Sequence, residues 1–174
     1  MITFSGSGGS RGRMTRRRGF TLIELLIVVA IIGIIVAISL VNMFNAIQRA
    51  KQKRSMGDMN SLATAIEAYA TDQNVYPAAA GFTLPSGLSL PTSTLGTVPA
   101  SLSPTYLRVV PLVDGWSSYF TYGTSSSRSD FAVRSAGADG ALEAAPAWGV
   151  TTNFNADIIL IDGTFVQYPD GVQK

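Results

Sequence analysis

The sequence predicts an α+β chain: one long N-terminal helix, membrane-spanning in its first half and amphipathic in its second, packed on a small antiparallel sheet. Three observations carry this. From Leu25 to Gln48 the chain holds 24 residues without a charge. From Met56 to Ala70 the apolar residues recur in steps of three and four, which places them on one face of a helix. Toward the C-terminus short apolar runs alternate with turn dipeptides and end around Asp162-Gly163, a two-residue hairpin signal.

Residues 1–19 form a basic leader with five arginines and no acid, and residues 1–15, rich in Gly, Ser and Arg, are expected to be disordered. Met14 is an alternative start. The whole chain is +2, but beyond residue 19 it carries eight Lys or Arg against eleven Asp or Glu, a net −3. The basic balance is therefore no signal for nucleic acid. It belongs to the leader, which the positive-inside tendency keeps in the cytoplasm. Arg49, Lys51, Lys53 and Arg54 flank the other end of the apolar run and oppose that orientation.

The uncharged run would be about 36 Å long as a helix, against a hydrocarbon layer of ~30 Å. A lone span must satisfy its peptide groups internally, so a helix is required, with the span over about 20–42. A cleaved secretory signal has a shorter apolar region, and Glu24 has no place in one. A plain signal anchor explains the length and the basic flank but not Glu24. A carboxylate there is costly unless it finds a partner or snorkels to the interface. Gly33 weakens the helix slightly and permits close helix approach.

The helical pattern continues past the span. Met56, Met59, Leu62, Ala63, Ile66, Tyr69 and Ala70 share a face, and Lys53, Asp58, Asn60, Glu67 and Asp72 lie opposite. Asn74 and Pro77 are stop signals, so the helix is expected over residues 20–73. The apolar face suits either an intramolecular core or a partner groove. Residues 74–174 form a small globular domain. Its stretch 77–105 reads as a long loop, uncharged throughout, and serves either as a subunit contact or as passive surface. Strands are expected at Trp116–Tyr122, Phe131–Arg134, Ile158–Ile161 and Thr164–Tyr168.

Gly19-Phe20-Thr21-Leu22-Ile23-Glu24, preceded by Arg16-Arg17-Arg18, resembles the processing site of type IV pilins and type II secretion pseudopilins. The resemblance is close over residues 16–38. It implies a pilin-like fold, cleavage after Gly19 by a prepilin peptidase and N-methylation of Phe20. It also implies that Glu24 pairs with the amino terminus of a neighbouring subunit. Val41 departs from the Pro found there in many relatives and is compatible with an unbroken helix. Asn74-Val75-Tyr76-Pro77 is similar to the motif that follows the long helix in pseudopilins. Tyr106-Leu107, Asp114-Gly115-Trp116 and Tyr119 are similar to a segment of the major pseudopilin.

Ser135-Ala136-Gly137-Ala138-Asp139-Gly140 and Asn155-Ala156-Asp157-Ile158 resemble the two ends of a loop that binds calcium in major pseudopilins. The resemblance implies carboxylates from Asp139 and Asp157 and further oxygen from Asn155 or Ser135. Calcium takes six to eight oxygens. The intervening 141–154 lacks acidic, Gly-rich character, so the alternative stands that Asp139-Gly140 is a turn and Asp157 opens a strand.

Without Cys or His, the chain has no disulfide, no Cys–His dyad, no Ser-His-Asp triad and no His-ligated zinc site. No enzyme is expected. The leading reading is a structural subunit, most like the major pseudopilin, that drives protein export across the outer membrane. The alternative is a pilin of a type IV pilus for adhesion, motility or DNA uptake. The implied partners are copies of the chain in a helical filament, the prepilin peptidase/methyltransferase, an inner-membrane assembly platform with its ATPase, minor pseudopilins and membrane lipid. The implied location is the inner membrane with the C-terminal domain in the periplasm. No nucleic-acid partner is expected; the basic cluster 49–54 suits lipid headgroups or neighbouring acids.

Overall fold

The computed structural model describes residues 19–79, 92–171 and 173. The leader up to Arg18 and the middle of the uncharged loop lie outside the described residues. Helix α1 covers Leu22–Gln73, and its assignment runs through residue 41. It ends where Asn74 takes a left-handed conformation, φ 57°, which Asn tolerates better than most side chains. Val75-Tyr76-Pro77 then leads the chain away.

The chain divides into two units, residues 1–40 and 41–174. In the first, every described residue is exposed, including Leu22, Ile23 and Ile38. Ser39 satisfies its hydroxyl within the helix by donating to the Ile35 carbonyl at 2.8 Å.

The second unit has a packed core. Met59, Leu62, Ala63 and Ile66 of α1 are buried against Phe120, which directly precedes the first strand, and the sheet residues Tyr122, Phe131, Val133, Ile158 and Leu160. The shared face of the helix is thus an intramolecular core stripe. Full burial of each large side chain contributes about 1.5–3 kcal/mol. The sheet holds β1 (Thr121–Thr124), β2 (Phe131–Ser135), β3 (Gly149–Thr151), β4 (Ile158–Ile161) and β5 (Thr164–Pro169), in the order β1-β2-β4-β5-β3. Asp162 and Gly163 join β4 to β5 with φ of 46° and 76°, as a two-residue hairpin turn requires.

Four details differ from expectation. β3 is an added fifth strand, parallel to β5, in a sheet otherwise antiparallel. Three residues are too few to show a period. The segment 92–105 is not all loop: α2 (Val98–Leu102) begins with Pro99 in its first turn, and Leu95, Val98 and Leu102 join the core. The strand expected from Trp116 starts only at Thr121, because Trp116–Ser118 wrap around the Asp114 carboxylate. Lastly, β2 runs one residue past Arg134 to Ser135 and is buried on both faces, Arg134 included.

Candidate functional site

The helix head is built from Thr21 and Glu24. Thr21 directly precedes α1, so its neighbours' first amides lack helical partners. The Thr21 N–H and hydroxyl both donate to Glu24 Oε2 at 3.0 Å, and the Glu24 N–H donates back to Thr21 Oγ1 at 3.2 Å. This is a reciprocal capping box. The Thr-x-x-Glu spacing that signals it was legible, but the reading of Glu24 as a pairing group passed over it. Gly19 and Phe20 are exposed just before the cap, and nothing lies within 4 Å of a methyl group placed on Gly19. The junction is open to an enzyme. Glu24 is exposed, so its carboxylate lies on an otherwise apolar stretch of helix.

The C-terminal residues named as calcium ligands do different jobs. Asp139 is exposed and its Oδ1 accepts the Ala141 N–H at 3.0 Å, a local turn. Asn155 is exposed, and its N–H donates to Asn153 Oδ1 at 3.0 Å. Asp157 is buried. Its Oδ2 receives Arg134 Nε and lies against Arg134 Nη2, and it accepts the Glu143 N–H at 3.1 Å. Arg134 Nη2 also donates to the Glu143 carbonyl. Burial pushes the Asp157 carboxyl above its ordinary value; the Arg134 guanidinium and the Glu143 N–H pull the other way. The register explains the meeting. Arg134 of β2 sits opposite Ile159 of β4, and Ile159 opposite Gln167 of β5, on the sheet face away from the helix core. Buried Gln167 donates from Nε2 to Glu143 Oε2 at 2.7 Å and to the Asp157 carbonyl at 3.0 Å, while its Oε1 accepts the Trp148 N–H at 3.3 Å.

These residues do not fit calcium. Among the described residues no group of three or more His, Cys, Asp or Glu side chains gathers to hold a metal. The buried carboxylate among them, Asp157, already faces a guanidinium, and a divalent ion there would meet a like charge. Among the described residues only Asp157 Oδ1 is a buried side-chain atom without a hydrogen-bond partner, one oxygen against the six to eight calcium takes.

Asp114, which sequence reasoning noted only within a motif, is a second buried anchor. Its Oδ1 accepts the N–H groups of Trp116 and Ser118, both at 2.9 Å, and its Oδ2 accepts the Ser135 hydroxyl at 2.7 Å. Next to it the Gly115 N–H donates to Ser55 Oγ at 2.9 Å. A methyl group on Gly115 would collide with the Lys51 backbone, so this turn needs Gly to reach the helix. Trp116 Nε1 donates to Gln48 Oε1 at 2.6 Å and completes the seam.

Comparison with known proteins agrees with this anatomy. A family model described as the prokaryotic N-terminal methylation motif matches residues 14–40. The model for type II secretion system protein G matches residues 42–151. The type II secretion system core protein G of Vibrio cholerae is 29% identical over 134 residues, covering 74% of this chain and 85% of the relative. That of Pseudomonas aeruginosa is 32% identical over 130 residues, covering 73% and 89%. The type IV major pilin protein PilA of Myxococcus xanthus is 44% identical, but over 61 residues, 35% of this chain and 28% of that one. No solved structure matches the chain. With an N-methylation motif at the helix head and a protein G match over most of the rest, the chain belongs to the type II secretion system protein G family, the pseudopilins.

Proposed function

We propose that this chain is the repeating subunit of a type II secretion pseudopilus, a filament that rises from the inner membrane into the periplasm and drives folded proteins through the outer membrane. One observation carries the reading: a methylation-motif helix head and a protein G domain follow each other on a single chain. The apolar residues of 22–40 then have two uses. Before assembly they face lipid; in the filament they face copies of the same helix. Cleavage after Gly19 by a prepilin peptidase frees the Phe20 amine about one helical turn from Glu24, and N-methylation follows. Glu24 of one subunit then pairs with the amino terminus of the next. Minor pseudopilins and an ATPase-driven inner-membrane platform supply initiation and force, and the role is structural, not enzymatic.

The match to a type IV major pilin favours a pilus as the second reading, but it covers only 35% of this chain and 28% of that pilin. The test takes mass spectra of the membrane-extracted protein and examines cells lacking this gene for secretion and for surface pili. A chain starting at N-methylated Phe20, with secretion lost and pili intact, supports the pseudopilus. An intact leader in assembled protein overturns the processing step, and lost pili with normal secretion assign the subunit to a pilus.

A further inference from the structure

The loop that follows β2 returns to β4 across the outer face of the sheet, and its two ends carry the motif that resembles a calcium loop. An ion pair holds it. Arg134 is 2% exposed and Asp157 0%, so neither charge has water to neutralise it. Each is neutralised by the other. The guanidinium spans two parts of the loop, with Nε and Nη2 on the Asp157 carboxylate and Nη2 on the Glu143 carbonyl. Glu143 closes the triangle by donating its N–H to the same carboxylate oxygen. Gln167 ties the Glu143 carboxylate and the Asp157 carbonyl to β5.

We infer that Arg134 is the resident cation of this loop: its guanidinium gathers the Asp157 carboxylate and the Glu143 carbonyl as a bound calcium ion would gather oxygens, so the subunit folds without calcium. The inference is independent of which filament the chain builds. Three features support it. The donor geometry is that of a planar cation, with a fork of N–H groups fixed by the Arg134 strand. The other acidic side chains of the loop are engaged elsewhere: Asp139, expected as a ligand, in its own turn, and Glu143 on Gln167. The loop's return is set by backbone packing as well: Gly137, φ 67°, leaves no room for a methyl group, which would sit 2.6 Å from the Asn155 carbonyl oxygen. A covalently tethered cation also differs from an ion in one respect: it cannot be chelated away.

The test follows thermal unfolding of the full-length protein in detergent, in EGTA and in millimolar calcium. The expected midpoints coincide. A midpoint that falls in EGTA or rises with calcium overturns the inference. Arg134→Met isolates the cation, because it strands Asp157 in the interior; its midpoint is expected to fall by about 10 °C or more. Adding Asp157→Leu to that variant removes the stranded charge and is expected to recover most of the loss. An Arg134→Met protein that melts with the wild type would equally overturn it. If Arg134→Met does not accumulate, the wild-type comparison decides alone.

Discussion

Glu24 Oε2 accepts both the N–H and the hydroxyl of Thr21 at 3.0 Å, and the Glu24 N–H donates back to Thr21 Oγ1 at 3.2 Å. The carboxylate proposed to pair between subunits is therefore also the helix's own cap. The two roles need different chemistry: the cap needs an oxygen acceptor, the pairing a negative charge. Substitutions can pull them apart.

Glu24→Gln keeps an acceptor for Thr21 and removes the charge. Thr21→Ala keeps the charge and removes the cap, at about 1 kcal/mol of helix stability. Both variants are expected to insert and be cleaved after Gly19. Glu24→Gln is expected to give processed subunit without filaments, because an unpaired buried amine costs about 3–5 kcal/mol at every contact. Thr21→Ala is expected to assemble. Fractionation for processed subunit together with electron microscopy of filaments reads both. Normal filaments from Glu24→Gln would leave only the capping role.

Asp114→Ala removes the acceptor of three hydrogen bonds, two from backbone amides and one from Ser135. Their buried donors lose a charged partner, for an expected loss of about 3 kcal/mol. Asp114→Asn retains one carbonyl acceptor and is expected to lose less. Denaturant unfolding followed by tryptophan fluorescence is suited to this, since Trp116 stands on the turn that Asp114 holds. Equal midpoints for the wild type and Asp114→Ala would refute the anchor.

Tyr122 sets an alkaline limit. Burial pushes its hydroxyl well above the ordinary value of 10.0, with Arg128 opposing. The unfolded chain ionises this group near that ordinary value while the folded chain resists. The stabilisation is therefore complete below it and is lost as pH rises from there toward the folded value. Tyr122→Phe is expected to flatten the decline of melting temperature above about pH 10. At neutral pH it gives up the bond to the Pro77 carbonyl, 3.1 Å long and worth about 1 kcal/mol. Tyr76, raised by burial, and Tyr106, raised by its bond to Asp72, leave a residual slope. An unchanged alkaline slope in Tyr122→Phe would remove Tyr122 from the account.

What the sequence disclosed was what local chemistry decides. The end of α1 was marked by Asn74, the hairpin by Asp162-Gly163, and the core face by the spacing of Met59, Leu62, Ala63 and Ile66. The methylation motif was legible because Gly19, Phe20 and Glu24 lie within one short stretch. Arg134 was not legible: its partners Glu143 and Asp157 are 9 and 23 residues downstream, and only the β2-β4-β5 register brings them under it. The fate of Trp116 had the same kind of cause, since an aromatic-rich run looks like a strand until Asp114 claims its amides. α2 and β3 were hidden by length, at five and three residues.

Every described side chain between Gly19 and Leu40 is exposed. That segment has no private interior, so it has no melting transition of its own. Its free energy is a property of whatever surrounds it, lipid or neighbouring copies, and depends on subunit concentration as any association does. Substitutions along this face should therefore register as changes in the critical concentration for polymerisation. Substitutions in the core around Leu62 and Tyr122 should register as changes in melting temperature. The one polypeptide is tuned by two independent dials.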